Sequence, residues 1–517
     1  LMMPLVSSQR AQLEVQLGNL LGTRVSIAEL EGDWFRFGPI LEVRDLNIIS
    51  DFVTAPHVIS RFSIKPALLD SILARSLVID DIVVHEPSFI LRENPNGSWS
   101  LEGLQAGDVD YTDAIIDFLL TTGRMQITEA HLVLHWLDGR ELTLDNVYVD
   151  LSNRENRHLS QIQARIAGQQ SPFQLLLEIN GDPRQRFTAS AYLQASQLEL
   201  HEYIELPGIA LDSARLSGDF WLGVQENLEF TLQSSLESVN LYGSGTADSS
   251  INTIALDISD LELTLDHGSD EHWQAWFSEA EIDWQNRPWH SGQLYLDYES
   301  ALDNKPLAIT ANSLDLAMVN DIINDLLVLP ERAAGAFADL SPQGSLSNIS
   351  FTTELGTDKE ADFLLTANLQ DVAVGAWQGA PAASGVYGYL EADRNRGFVE
   401  LDSSAFSIHL PRLFVDPWNY DQANSRVHWS LLNDMIRVNS SIIDVRNEST
   451  HGHVQFDLLN YRDAEGDPTT ELTLLIGVLE MDASEKSLYL PTLPNLKGTM
   501  DWLDDALLGG DIRDSGF

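Results

Sequence analysis

His451 and His453 flank Gly452, and if this segment is a strand both imidazoles leave the same face. That spacing can hold a metal ion. A third ligand is not evident nearby in the sequence, so a solvated strand face is the favoured reading. His131 and His135 would share one face of a helix, but Leu132, Val133 and Leu134 between them read as strand. The acidic run Asp463-Ala464-Glu465-Gly466-Asp467 resembles a calcium loop but lacks the bidentate glutamate such loops require downstream. With 78 acidic residues, carboxylate pairs for glycoside hydrolysis abound, and none is singled out by a tuned pKa. Trp273, Trp276, Trp284 and Trp289 offer a candidate sugar platform, although such aromatics more often pack across neighbouring strands. The nucleophile elbow, the Walker loop and the dinucleotide glycine fingerprint are absent. Gly243-Ser244-Gly245 reads as a turn, since no cation or helix start follows it. No catalytic, metal or cofactor residue is assigned, and the chain is expected not to be an enzyme.

The elements that carry these residues are mostly strands. Apolar and polar residues alternate at Ala130, Leu132, Leu134 and Trp136, and again at Phe173, Leu175, Leu177 and Ile179. The same alternation recurs at Ile254, Leu256 and Ile258, then at Leu261, Leu263 and Leu265. It continues at Ile436, Val438, Ser440 and Ile442, and at Leu472, Leu474, Ile476 and Val478. A period of two marks a strand with one buried face. Turn signals such as Asp138-Gly139, Asn180-Gly181 and Glu465-Gly466 separate these runs, so consecutive strands should pair antiparallel as a meander. Helical periodicity is confined to Gln9–Leu21, a short piece after Pro66, a piece after Thr112, Leu316–Leu329 before Pro330, and Asp501–Leu508. These helices do not recur between strands, which argues against a parallel α/β fold.

Composition narrows the function classes. The 30 Lys and Arg residues against 78 Asp and Glu give a net charge of −48, so nucleic-acid phosphates find no cationic surface here. The absence of cysteine removes disulfides, thiolate metal sites and a cysteine nucleophile. No run of 18 apolar residues is present. A chain of 517 residues exceeds one ordinary core and implies several domains or one open-ended architecture.

Ordered motifs resemble the YhdP family of large AsmA-like proteins of Gram-negative bacteria. Residues 10–22 followed by Thr23-Arg24-Val25-Ser26-Ile27 resemble its opening helix and first strand. Trp34 with Gly38 and Pro39 resembles a "W…GP.L…D" signature that runs through Leu41 and Asp45. Trp284 and Trp289 lie in a further family passage. Pro411, Pro417 and Trp429 follow in family order, as does Trp502 in Trp502-Leu503-Asp504-Asp505-Ala506. These motif residues are assigned structural roles.

The resemblance implies a periplasmic, non-enzymatic protein that moves phospholipid between the inner and outer membranes. A long antiparallel meander curled into a twisted trough would shield acyl chains on its apolar face, with a few short helices capping it. It further implies residues 1–22 as the end of a truncated membrane anchor plus an amphipathic helix, and 23–122 as an N-terminal β region with short helices. Residues 123–330 and 331–517 would be two groove segments, each ending in a helix. Ile254, Leu256 and Ile258, with Leu472, Leu474 and Ile476, are the candidate lipid contacts. Expected partners are acyl chains, the inner membrane through an upstream helix, and outer-membrane-associated proteins. The alternatives are an assembly factor or scaffold for outer-membrane proteins, acting through strand edges, and a carbohydrate-active β protein. About 25 strands spaced ~4.8 Å apart would extend ~120 Å, so small-angle scattering should give a radius of gyration near ~35 Å. A compact chain of this length would give ~24 Å.

Overall fold

The computed structural model describes residues 10–516 except 12, 16, 19–23, 36–37, 50–56, 68–78, 96, 98, 102–111, 207, 246–252, 269, 327–334, 336–337, 357–361, 378–379, 433–434, 463–466 and 493–496. The expected membrane-anchor end over 1–9, most of the expected helix after Pro66 and the acidic run 463–466 therefore lie outside the described residues. The protein is mainly β, with 29 strands and a few short helices among the described residues. It divides into two units, one comprising Leu1–Glu205 with Leu211–Leu241, the other Leu206–Ala210 with Tyr242–Phe517.

The first unit opens with four antiparallel strands, Arg24–Phe35, Gly38–Ile49, His57–Pro66 and Ile79–His85. Trp34 pairs with Pro39 and Phe35 with Gly38, so the family signature forms the end of the first hairpin. Helical residues 10, 11, 13–15, 17 and 18 bring Leu13 against Ile27, Val43, Leu46 and Phe62, all buried. Glu14 fixes the helix by accepting the Ile27 amide at 2.9 Å.

The meander is then interrupted, contrary to the antiparallel expectation. Arg124–His135 pairs in parallel with both Ile79–His85 and Ser88–Glu93. A parallel neighbour requires the chain to return to the same end of the sheet, and the helix Thr112–Thr121 lies on that return path. From there the antiparallel order resumes through Glu141–Arg154, Arg157–Ile166, Phe173–Gly181, Phe187–Glu199 and Ile209–Val224.

The second unit is antiparallel throughout its pairings, from Thr253–His267 to Asp511–Gly516. The short hairpin Glu281–Trp284 and Arg287–His290 is inserted beside the first half of Thr253–His267. Another break occurs where Met435–Ser440 ends and Ile443–Arg446 begins. Ile442 is 58% exposed while Ile443 is 4% exposed. The alternation read through Ile442 therefore changes phase there.

Registers shift repeatedly at single residues in the left-handed region. Glu129 (φ 55°), Asn146 (51°), Gln197 (51°), Asn348 (51°) and Asp371 (51°) each fall inside such a shift. Gly385 (φ 66°) occupies another, where an added Cβ would overlap the Ala405 carbonyl oxygen. A bulge leaves a backbone amide unpaired and increases local twist. Buried serines close several of these amides. Ser217 Oγ accepts Gln197 N at 2.9 Å, Ser403 Oγ accepts Tyr387 N at 2.8 Å, and Ser440 Oγ accepts Phe456 N at 3.0 Å.

Glu199 does similar work with a charge. Its carboxylate accepts Ala214 N (2.6 Å), Ser213 Oγ (2.8 Å), His201 Nδ1 (3.0 Å) and Arg215 Nε (3.1 Å). Burial alone would raise its pKa, but these donors outweigh it and hold the carboxyl at about 2 instead of 4.5. A depressed native pKa contributes stability above the unfolded value, and this is lost as pH falls through the native one. Protection of the Ala214 amide from hydrogen exchange, corrected for intrinsic rate, should drop by up to roughly eighty-fold between pH 4.5 and 2. Glu199→Gln should be less protected at pH 7 and should remove that pH-dependent fall.

Candidate functional site

The distinctive feature of the described residues is how the apolar faces join. In the first unit, register places Ile127, Val149, Ile162, Leu175, Leu193 and Phe220 side by side across six strands. All six are half-buried. One residue along, the face is polar or aromatic at Gln126, Asp150, Gln161, Tyr192 and Trp221, with exposed Leu176 the exception. Ion pairs hold that outer face, with Arg124 Nε 3.0 Å from Asp150 and Arg157 bidentate on Glu178 at 2.8 Å.

The second unit extends the same device over twelve strands. The row begins Leu265, Ala275, Leu296, Ile309, Phe351 and Leu365. It continues Ala392, Gly397, Trp429, Val438, Leu458 and Leu472. Gly397 is bare because Trp429 lies over it; an added Cβ would overlap that ring. Within this row only Ala275 and Leu458 are fully buried, and Leu472 is 37% exposed. The opposite face carries ion pairs, as in Arg426 on Glu400 at 2.9 Å and Arg437 on Asp457 at 2.9 Å.

Two places on this apolar face are covered. Helix Leu316–Leu326, started by Asp315 accepting the Met318 amide at 2.9 Å, packs Met318 and Ile322 against Ile254, Leu256, Trp284 and Trp289. The helix is tied down by Asp325, which accepts from Trp284 Nε1 and Arg287 Nη2, both at 2.8 Å, while Arg287 also pairs with Asp321. Toward the other end, Phe414 and Tyr489 pack on Trp418 of strand Trp418–Leu432, and Trp418 Nε1 donates to the Leu488 carbonyl at 2.9 Å. Beside them runs a narrow apolar crevice lined by Phe406, Ile408, Ile443, Val454, Leu458 and Leu474.

The candidate lipid contacts thus fall into two settings. Ile254 is 7% exposed beneath the helix, with Leu256 packed beside it, while Ile258 faces Ile282 on the next strand. Leu472, Leu474 and Ile476 face Leu458, Phe456 and Val454, and Leu472 and Leu474 line the crevice. The four tryptophans near 280 do not converge. Trp276 stacks with Tyr295 on the polar face, Trp273 packs with His267, and Trp284 and Trp289 lie under the helix. Pro411 borders the apolar crevice region with Leu410 and Leu413, Pro417 is exposed just before Trp418, and Trp502 is 65% exposed on helix Lys497–Ala506.

Residues 1–517 match the family described as YhdP protein. The chain belongs to the YhdP family. The family is bacterial and membrane-associated, and membership suggests an AsmA-like protein of lipid-transport type. Neither the curated proteins nor the solved structures contain a significant match. Among the described residues, no helix is long and apolar enough to cross a membrane.

The helix over Ile254 gives a direct test of how this YhdP-family chain closes its apolar face. Asp325→Ala removes the acceptor of the buried Trp284 indole and of half-exposed Arg287, and should destabilise the helix by about 1–3 kcal/mol. Hydrogen exchange across Leu316–Leu326 should accelerate, while the amides of Phe363–Val374 should stay protected.

Proposed function

We propose that this chain is a non-enzymatic conduit segment that carries phospholipid acyl chains along the apolar face of its sheet. The setting is the periplasm, between the inner and outer membranes. The supporting observation is the row from Leu265 to Leu472, unbroken in register and mostly half-exposed. Eleven steps of about 4.8 Å give roughly 50 Å of apolar path within one unit. A bilayer leaflet is about 15 Å thick in hydrocarbon, so the path is several acyl lengths long. Each methylene withdrawn from water contributes about 0.8 kcal/mol, which suits a surface that has no complete core of its own. Side chains at successive strands are chemically alike, so a tail moving along the row exchanges one apolar neighbour for the next. No bond need be made or broken for this, and family membership points the same way.

Photo-crosslinking in cells tests the reading. A benzophenone side chain at Leu296, Leu365 or Val438 should capture phospholipid. The same group one residue away, at Tyr295, Thr366 or Asn439, should capture at least about five-fold less, because strand neighbours point to opposite faces. Equal capture on both faces, or capture on neither, would remove the conduit reading.

A further inference from the structure

We propose that Asp444, His451 and His453 form a site for a divalent transition-metal ion, of which Zn²⁺ is the natural probe. The site lies on the polar face of the second unit, opposite the apolar row. Asp444 and His453 are directly opposed between strands Ile443–Arg446 and Thr450–Arg462, and His451 leaves the same face two residues away. Both imidazole Nε2 atoms approach one carboxylate oxygen, Asp444 Oδ2, at 3.4 Å for His451 and 3.0 Å for His453. Ligand atoms about 2.0–2.1 Å from a tetrahedral ion stand about 3.3–3.4 Å apart, so two of the three edges are already near the required length. One oxygen and two nitrogens all lie within 4.8 Å of one another. The rings are nearly perpendicular, with centroids 5.9 Å apart.

The surroundings leave room for the rest of the coordination shell. His453 is 41% and Asp444 46% exposed, and the residue facing His453 on the next strand is Gly477. A solvent molecule can therefore complete a site with three protein ligands. Two imidazoles with one carboxylate favour zinc, nickel, copper or iron(II) over calcium or magnesium. Arg446 is the competing group: its Nη2 lies 3.4–3.5 Å from both nitrogens of His451. It lies on an exposed surface, and loading the site requires it to swing away from the ring. The ion would clamp the four-residue strand Ile443–Arg446, whose Ile443 and Val445 are buried on the other face and line the apolar crevice.

The test is equilibrium dialysis of the tag-free chain against Zn²⁺, with bound metal measured by mass spectrometry. We expect one strongly bound ion per chain, weakened at least about ten-fold in His451→Ala, His453→Ala and Asp444→Asn. Cobalt(II) should give the intense visible bands of a tetrahedral ion in the parent chain and lose them in each variant. His272→Asn, which disrupts the other His and carboxylate group at His272, Asp297 and Glu299, should leave both readouts unchanged. Hydrogen exchange at Ile443–Arg446 should slow with metal in the parent chain. Absence of saturable binding would overturn the assignment. So would binding that survives the His451→Ala and His453→Ala double change, or that disappears with His272→Asn. Because the cobalt bands and the His272 control are read on folded protein, an unfolded variant does not rescue the idea.

Discussion

The interaction on which these units depend is the closing of a backbone amide by a buried hydroxyl at several of the places where strand register breaks. Extended, strongly twisted sheets need such irregularities, and each one strands an N–H away from water. Ser217, Ser403 and Ser440 meet that need on the partner strand, and each is at most 4% exposed. A hydroxyl both donates and accepts, so it costs little to bury there. Replacing one with alanine would leave an orphaned donor of the kind that costs about 1–3 kcal/mol.

The consequence is a continuous apolar row that survives each change of phase. Asp260, at φ 57°, separates the run Ile254, Leu256, Ile258 from Leu263 and Leu265. The pairings of both runs nonetheless fall on one face, the first with Trp284 and Ile282, the second with Phe277 and Ala275. Without the extra residue, the second run would point into solvent. The bulges therefore serve the surface as much as they serve the twist.

This also decides what was legible in the sequence. Alternation identified strands such as the one carrying Leu472, Leu474 and Ile476, because period two is local. The step from even to odd positions between Ile258 and Leu261 was visible, but that a left-handed Asp260 keeps both runs on one face was not. The alternation ran straight through the break after Ser440 to Ile442. The parallel pairing of Arg124–His135 was hidden as well, because the helix Thr112–Thr121 reads like a cap and its crossover role depends on distant strands. Trp284 carried no sign that its partner would be Asp325, about forty residues on, and only the helix register reveals it. Asp444 stands seven residues before His451, and a tight hairpin turn could have brought it into consideration.

The parallel crossover sets an order of assembly. Most pairings join strands adjacent along the chain, so contacts are local and growth by successive addition faces little loop-closure entropy. Ile79–His85 and Ser88–Glu93 are different: one edge of each must wait until Arg124–His135 has been delivered. Until then a sticky β edge stands open in the nascent chain. A vectorially emerging polypeptide is therefore vulnerable during that interval, and a chaperone would be useful there.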